Sequence, residues 1–176
     1  NINRPGVYEI EMNISVEEFI YSDEYCGGIA NKKRLKACIP GGSSVPILPA
    51  NLLLTTARGE KRMMTYESLA DGGFATGSLM GSGGFIVMDE DQCVVKHTYT
   101  LARFYRHESC GQCSPCREGT GWMEKILWNI ENGKGKMSDI DLLWDIQRKI
   151  EGNTICPLGD AAAWPVAAAI RHFRDE

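Results

Sequence analysis

Apolar positions recur with period two in the first half of the chain and at helical spacing in the second. After a Pro5-Gly6 turn, Tyr8, Ile10 and Met12 alternate with Val7, Glu9 and Glu11, the pattern of a strand with one face inward. Ser15 is placed to cap a short helix over residues 16–21, with Glu17 and Glu18 in the first turn, where the helix dipole favours acid. Leu35 to Ile39 reads as a second strand, stopped by Pro40-Gly41-Gly42, and Phe85 to Met88 as a third, after Gly81-Ser82-Gly83-Gly84. One helix among short strands predicts a small α+β domain of the β-grasp kind over residues 1–90.

From residue 91 the spacing changes. Val94, Val95, Leu101, Ala102 and Tyr105 recur at roughly helical intervals, and this first helix ends near His107. Trp122, Ile126 and Ile130 form a second stripe, up to an Asn132-Gly133 stop. Ser138 and Asp141 resemble a capping box for a third helix, whose stripe is Leu142, Leu143, Ile146 and Ile150 and whose end is Gly152. Pro165 suits the first turn of a last helix that runs to about Phe173. Residues 91–176 therefore read as a four-helix bundle.

Composition narrows the function classes. Hydrophobic residues make up 43% and charged residues 24% of 176, ordinary values for a globular protein. The net charge of −4 and the absence of a basic stripe argue against nucleic acid as a partner. The longest apolar run, Ala161 to Ile170, is too short for a membrane span, so no direct membrane insertion is expected. No Ser/His/Asp or paired-carboxylate constellation emerges, and no catalytic residue is assigned.

Chemistry concentrates in the cysteines. Cys110, Cys113 and Cys116 form C-x2-C-x2-C between the first two predicted helices, and Cys156 lies 40 positions on, in the turn before the last. A triple plus one remote Cys is the ligand pattern of a [4Fe–4S] cluster, and a bundle can bring both turns to one end. Ser109, Gly111 and Ser114 are small enough for backbone N–H groups to reach the sulfurs, and Arg117 adds a cation beside Cys116. Zinc also takes four Cys, usually as two separated pairs. A disulfide framework fits poorly with seven Cys and such tight spacing. A redox C-x-x-C would want a strand before it and a helix starting inside it.

The Cys loop, together with Thr154-Ile155-Cys156-Pro157-Leu158-Gly159-Asp160 and the Ala-Ala-Ala-Trp-Pro run ending at Pro165, resembles the flavoprotein subunit of respiratory complex I, the NADH-binding 51-kDa-type subunit of NADH:quinone oxidoreductase. Asn3-Arg4-Pro5-Gly6, the stretch from Leu35 to Ser44, and Met80 to Gly84 with Val87 to Glu90 carry the likeness across the chain. The resemblance implies an SLBB (soluble ligand-binding β-grasp) domain followed by a cluster-binding helical domain. It implies Cys110, Cys113, Cys116 and Cys156 as cluster ligands, one-electron transfer from NADH-reduced FMN, and hand-off to the next iron–sulfur subunit. The implied partners are the N-terminal flavin domain of the same subunit and the 2Fe-2S (24-kDa-type) and large iron–sulfur (75-kDa-type) subunits. The implied location is the peripheral arm of a membrane complex, on the cytoplasmic side of the bacterial inner membrane or the matrix side in mitochondria. A strand leading into G-x-G-x-x-G is missing, so the chain is expected to be the C-terminal portion, with FMN and NADH bound only by the full-length subunit. A diaphorase subunit of an NAD-linked hydrogenase or formate dehydrogenase, and a zinc-stabilised scaffold, are the alternatives.

Other features have plainer readings. The runs Gly41-Gly42-Ser43-Ser44 and Gly81 to Gly84 read as turns. Cys38 and Cys93 read as buried small apolar residues and Cys26 as loop. His107 reads as a cation at a helix end, and the four Trp as core and interface anchors.

Overall fold

The computed structural model describes residues 1–176 and divides the chain into two compact units, Asn1–Gln92 and Cys93–Glu176. The architecture is α+β: a three-stranded sheet with short helices, then a bundle of four longer helices.

In the first unit, Ser15 caps α1 (Val16–Tyr21) by accepting the Glu18 N–H at 3.1 Å. The sheet has the order β2-β1-β3 and is antiparallel throughout, with β1 Leu35–Ile39, β2 Leu48–Pro49 and β3 Ile86–Asp89. A bulge between Leu35 and Ala37 shifts the β1–β3 register. Between the strands lie three further helices, α2 (Ala50–Leu54), α3 (Tyr66–Ala70) and α4 (Gly73–Thr76), so the expected single helix is too few. Each is at most five residues, shorter than a full apolar stripe needs.

The strand expected over residues 7–12 does not form. Its alternation is obeyed only in part: Tyr8 and Ile10 pack against the core and Val7 is fully exposed, but Met12, expected on the inward face, is exposed as well. No neighbouring strand supplies the ladder, so the segment stays irregular. Tyr8 meets Phe19 edge-on at 5.9 Å, and Phe19 meets Phe85 at 5.2 Å, around a core of Val16, Ile20, Leu48, Leu53 and Leu69.

The two Gly-rich runs are turns that lock into one another. Gly42 N–H donates to Gly84 O at 2.7 Å and Ser82 N–H to Gly41 O at 3.0 Å. A side chain at Gly81 would place its Cβ 2.1 Å from Gly41 O, and φ there is +49°, so only glycine fits the crossing. Arg62 is wholly buried. Its guanidinium donates to the carbonyls of Leu52 in α2, Ser68 and Leu69 in α3, and Thr76 at the end of α4. One cation thus ties three short helices together through their carbonyls, of which those of Ser68 and Leu69 also accept the N–H groups of Asp71 and Ser78. Burial pushes its pKa down from the usual arginine value. Cys26 is in a loop as expected but is buried in the core beside Cys38's cluster.

The second unit consists of α5 (Val94–Glu108), α6 (Ser114–Glu131), α7 (Met137–Ile150) and α8 (Leu158–His172), each packed on its sequence neighbour, with α5 closing on α8. Ala102, Tyr105, Met123, Leu127, Leu143, Ile150, Ala163 and Val166 fill the centre. Three expectations shift here. The cap of α7 is two residues earlier: Lys136 N–H donates to Asp139 at 2.8 Å. Pro165 is inside α8, because Pro157 already starts the helix eight residues upstream, which leaves the Ala161 carbonyl without its usual partner. Cys93 is half-buried and serves as the cap of α5, its Sγ accepting the Lys96 N–H at 3.4 Å. None of the four Trp is buried in the core, and Trp122 is half-exposed.

Candidate iron–sulfur site

The connection between α5 and α6 is five residues long, 109–113, and carries the first two cysteines. Gly111, at φ +79°, turns the loop back on itself and donates its N–H to Ser109 Oγ at 3.3 Å. Cys110 is exposed at the loop tip. Cys113 is the N-cap residue of α6, and its carbonyl accepts the Arg117 N–H at 2.8 Å.

The helix starts inside the motif, earlier than the loop reading implied. Ser114 and Pro115 form its first turn, where a missing N–H costs nothing. Cys116 is therefore a helical residue and is buried, 7% exposed. Its Sγ lies 3.2 Å from Ser109 Oγ, and its carbonyl accepts from Thr120 Oγ1 at 2.8 Å. The element before the motif is a helix, unlike the strand that a thioredoxin-type C-x-x-C wants.

Cys156 comes from the turn between α7 and α8 and is exposed. Its carbonyl accepts from Thr154 Oγ1 at 2.9 Å. The turn is tied to α8 by Asp160, which accepts the Gly152 N–H at 2.6 Å, and by Trp164 Nε1, which donates to Glu151 at 2.9 Å. The decisive contact is between the two turns: Ile155 N–H donates to Cys113 Sγ at 3.4 Å. The residue beside Cys156 is thus hydrogen-bonded to the sulfur of the second loop cysteine. No three Cys, His, Asp or Glu side chains converge on one point in ion-ligating geometry.

The donors to sulfur are partly those that sequence reasoning missed. Small residues at 109, 111 and 114 were expected to admit backbone N–H groups to the sulfurs. The N–H that arrives is Ile155's, and Ser109 acts through its hydroxyl. A serine four residues beyond Tyr105 at the end of α5 was the available signal for the second of these. Arg117 reaches back over the loop, donating to Gly111 O at 2.9 Å and Ser114 Oγ at 3.3 Å. His107 is exposed beside Glu108 at 2.9 Å and takes no part.

Residues 96–176 match the family model described as the NADH-ubiquinone oxidoreductase-F iron-sulfur binding region. The F subunit of the NADH-quinone oxidoreductase of Rickettsia bellii is 46% identical over 177 aligned residues, covering all of this chain and 40% of the relative. Over its whole length the chain is similar to NADH-quinone oxidoreductase F subunits. An F subunit of the same enzyme in Rhizobium meliloti is 44% identical, again over the whole chain and 38% of its own length. The chain thus spans about 40% of the length of the F-subunit relatives it matches. A crystal structure of an NAD+-reducing [NiFe]-hydrogenase in the H2-reduced state superposes with a TM-score of 0.78 at 26% identity, over 98% of this chain and 26% of that one. The residues matched by the family model include Cys110, Cys113, Cys116 and Cys156. The donor set fits a cluster in this chain: four free thiols, two turns held together at a sulfur, and a hydroxyl and an amide already directed at sulfur.

Proposed function

We propose that Cys110, Cys113, Cys116 and Cys156 hold a [4Fe–4S] cluster through which electrons from NADH-reduced FMN pass to the next iron–sulfur subunit of an NADH:quinone oxidoreductase. The hydrogen bond from Ile155 N–H to Cys113 Sγ carries the reading, because it joins the C-x2-C-x2-C loop to the segment of the fourth cysteine. When bound, a cubane takes up and releases one electron at a time. The chain's own residues position it: α6 presents Cys116 from the bundle side, the 109–113 loop presents Cys110 and Cys113, and the α7–α8 turn presents Cys156. Ile155 donates its N–H to Cys113 Sγ, and the Ser109 hydroxyl, 3.2 Å from Cys116 Sγ, would donate to a cluster-bound thiolate; both favour the more negative, reduced state.

The first unit, residues 1–92, is read as the SLBB domain, and FMN and NADH as bound by parts of the full subunit other than these residues. Neighbouring 24-kDa-type and 75-kDa-type iron–sulfur subunits are the electron acceptors' side of the same peripheral arm, on the cytoplasmic or matrix face. In keeping with an arm outside the bilayer, no helix is long and apolar enough to cross a membrane. The hydrogenase likeness favours one second reading, a diaphorase subunit of an NAD-linked hydrogenase. Genomic neighbours and co-purifying subunits separate the two.

Iron and acid-labile sulfide per chain, with an EPR spectrum after dithionite reduction, test the site. About four of each and a spin-half reduced signal are expected. One tightly held zinc with no iron would replace the redox reading by a structural one.

A further inference from the structure

Successive helical residues point about 100° apart, so Cys116 and Arg117 diverge at the start of α6. Cys116 goes into the bundle, while the Arg117 side chain stays at the surface, 48% exposed, and turns back over the loop. We propose that Arg117 is the positioning residue of the sulfur-bearing loop: it pins the Cys110–Cys113 segment to the first turn of α6 and fixes a cation beside the sulfurs. The proposal rests on the cluster reading above.

Three directed hydrogen bonds support it. Nη1 donates to Gly111 O at 2.9 Å, Nη2 to Ser114 Oγ at 3.3 Å, and Nε to Glu118 Oε1 at 3.0 Å. Gly111 sits between Cys110 and Cys113 in a left-handed conformation, so the aim of its carbonyl depends on that turn being kept. The Arg117 Cδ lies 3.8 Å from where a Gly111 Cβ would stand, so the side-chain stem also packs on the loop. A planar guanidinium serves three acceptors in fixed directions, which a lysine ammonium on a flexible stem does not. Glu118, like Arg117, is half-exposed, and water screens the charge of both.

The two parts of the role separate experimentally. The fork retains the loop, and the charge favours the cluster carrying the extra electron, donated in the titration by dithionite. Wild type, Arg117→Gln and Arg117→Lys are reconstituted anaerobically and compared in the rate of iron loss to a chelator and in EPR-monitored redox titration. Arg117→Gln is expected to lose iron at least five-fold faster. It should also be three- to ten-fold harder to reduce, a potential about 30–60 mV lower at 59 mV per decade for one electron. Arg117→Lys should lose iron nearly as fast as the Gln variant yet hold the wild-type potential. If Arg117→Gln fails to fold, as judged by circular dichroism, a wild-type iron-loss rate in Arg117→Lys overturns the proposal. An iron-loaded Arg117→Gln chain that matches wild type in either readout overturns it and leaves the cluster reading intact. A wild-type chain that holds zinc and no iron sinks both.

Discussion

The amide of Ile155 donates to the sulfur of Cys113 at 3.4 Å, across 42 residues of chain. Between the two lie the whole of α6 and α7, so this contact exists only if both helices pack antiparallel and return the chain to the same end of the bundle. A cluster held by both turns would therefore couple its binding to the folding of the second unit.

Replacing Cys156 by Ser should strip the fourth thiolate and weaken or abolish the cluster. Cys93→Ser removes a sulfur that only caps α5 and touches Glu131 at 3.7 Å. Iron analysis and thermal unfolding of the two variants decide it. Equal iron in both would show that Cys156 is not a ligand.

Ser109→Ala removes a hydroxyl 3.2 Å from Cys116 Sγ. Hydrogen bonds to sulfur stabilise the more negative cluster, so the potential should fall. A bond of about 0.5–1.5 kcal/mol corresponds to roughly 20–60 mV for one electron. An EPR-monitored titration that gives an unchanged or higher potential would remove Ser109 from this role.

Arg62→Met should unfold the first unit at markedly lower temperature, with the second unit's transition unmoved. The change leaves the carbonyls of Leu52 and Thr76 without a donor, at about 1–3 kcal/mol for each one that water cannot reach, while Ser68 and Leu69 keep the N–H groups of Asp71 and Ser78. Arg62→Lys should rescue little, because one ammonium has three donors and no fork. Differential scanning calorimetry with both variants at wild-type stability would refute the staple.

Acid should loosen the first unit through Asp89. Burial alone would raise this carboxyl, but the Asn1 side chain at 2.8 Å, the Asp91 N–H at 3.0 Å and the Lys33 cation at 3.6 Å outweigh it and hold it below the usual carboxylate range. A depressed pKa adds stability that is complete above the unfolded value, near 3.9, and is lost as pH falls through the folded one. Lys33→Met should therefore move the acid unfolding midpoint to higher pH. A midpoint that stays put in circular dichroism would show the ion pair to be idle.

Where residues repeat at a strong period over many positions, the sequence was readable. The periods of α5, α6 and α7 needed no tertiary information to announce helices, although Trp122 and Leu142 of the expected stripes are exposed, and Leu35 to Ile39 was bounded by its Pro-Gly-Gly stop, with Ala37, Cys38 and Ile39 all buried. Residues 7–12 show the limit: their period placed Tyr8 and Ile10 inward, yet a strand requires a partner, and none is adjacent. The short α2, α3 and α4 were invisible for the opposite reason, since four or five residues carry no period, and a buried Arg62 holds their ends.

The candidate site divides in the same way. By itself the sequence determined the donor chemistry: four cysteines at cluster spacing, on chain segments flanked by helices, since spacing and residue type are local properties. Only the tertiary structure decided which groups face those sulfurs. The Ser109 hydroxyl, the Ile155 amide and the Arg117 fork reach the loop because α6 starts at Ser114 and α7 returns the chain beside it, and such directions depend on packing that no local pattern encodes.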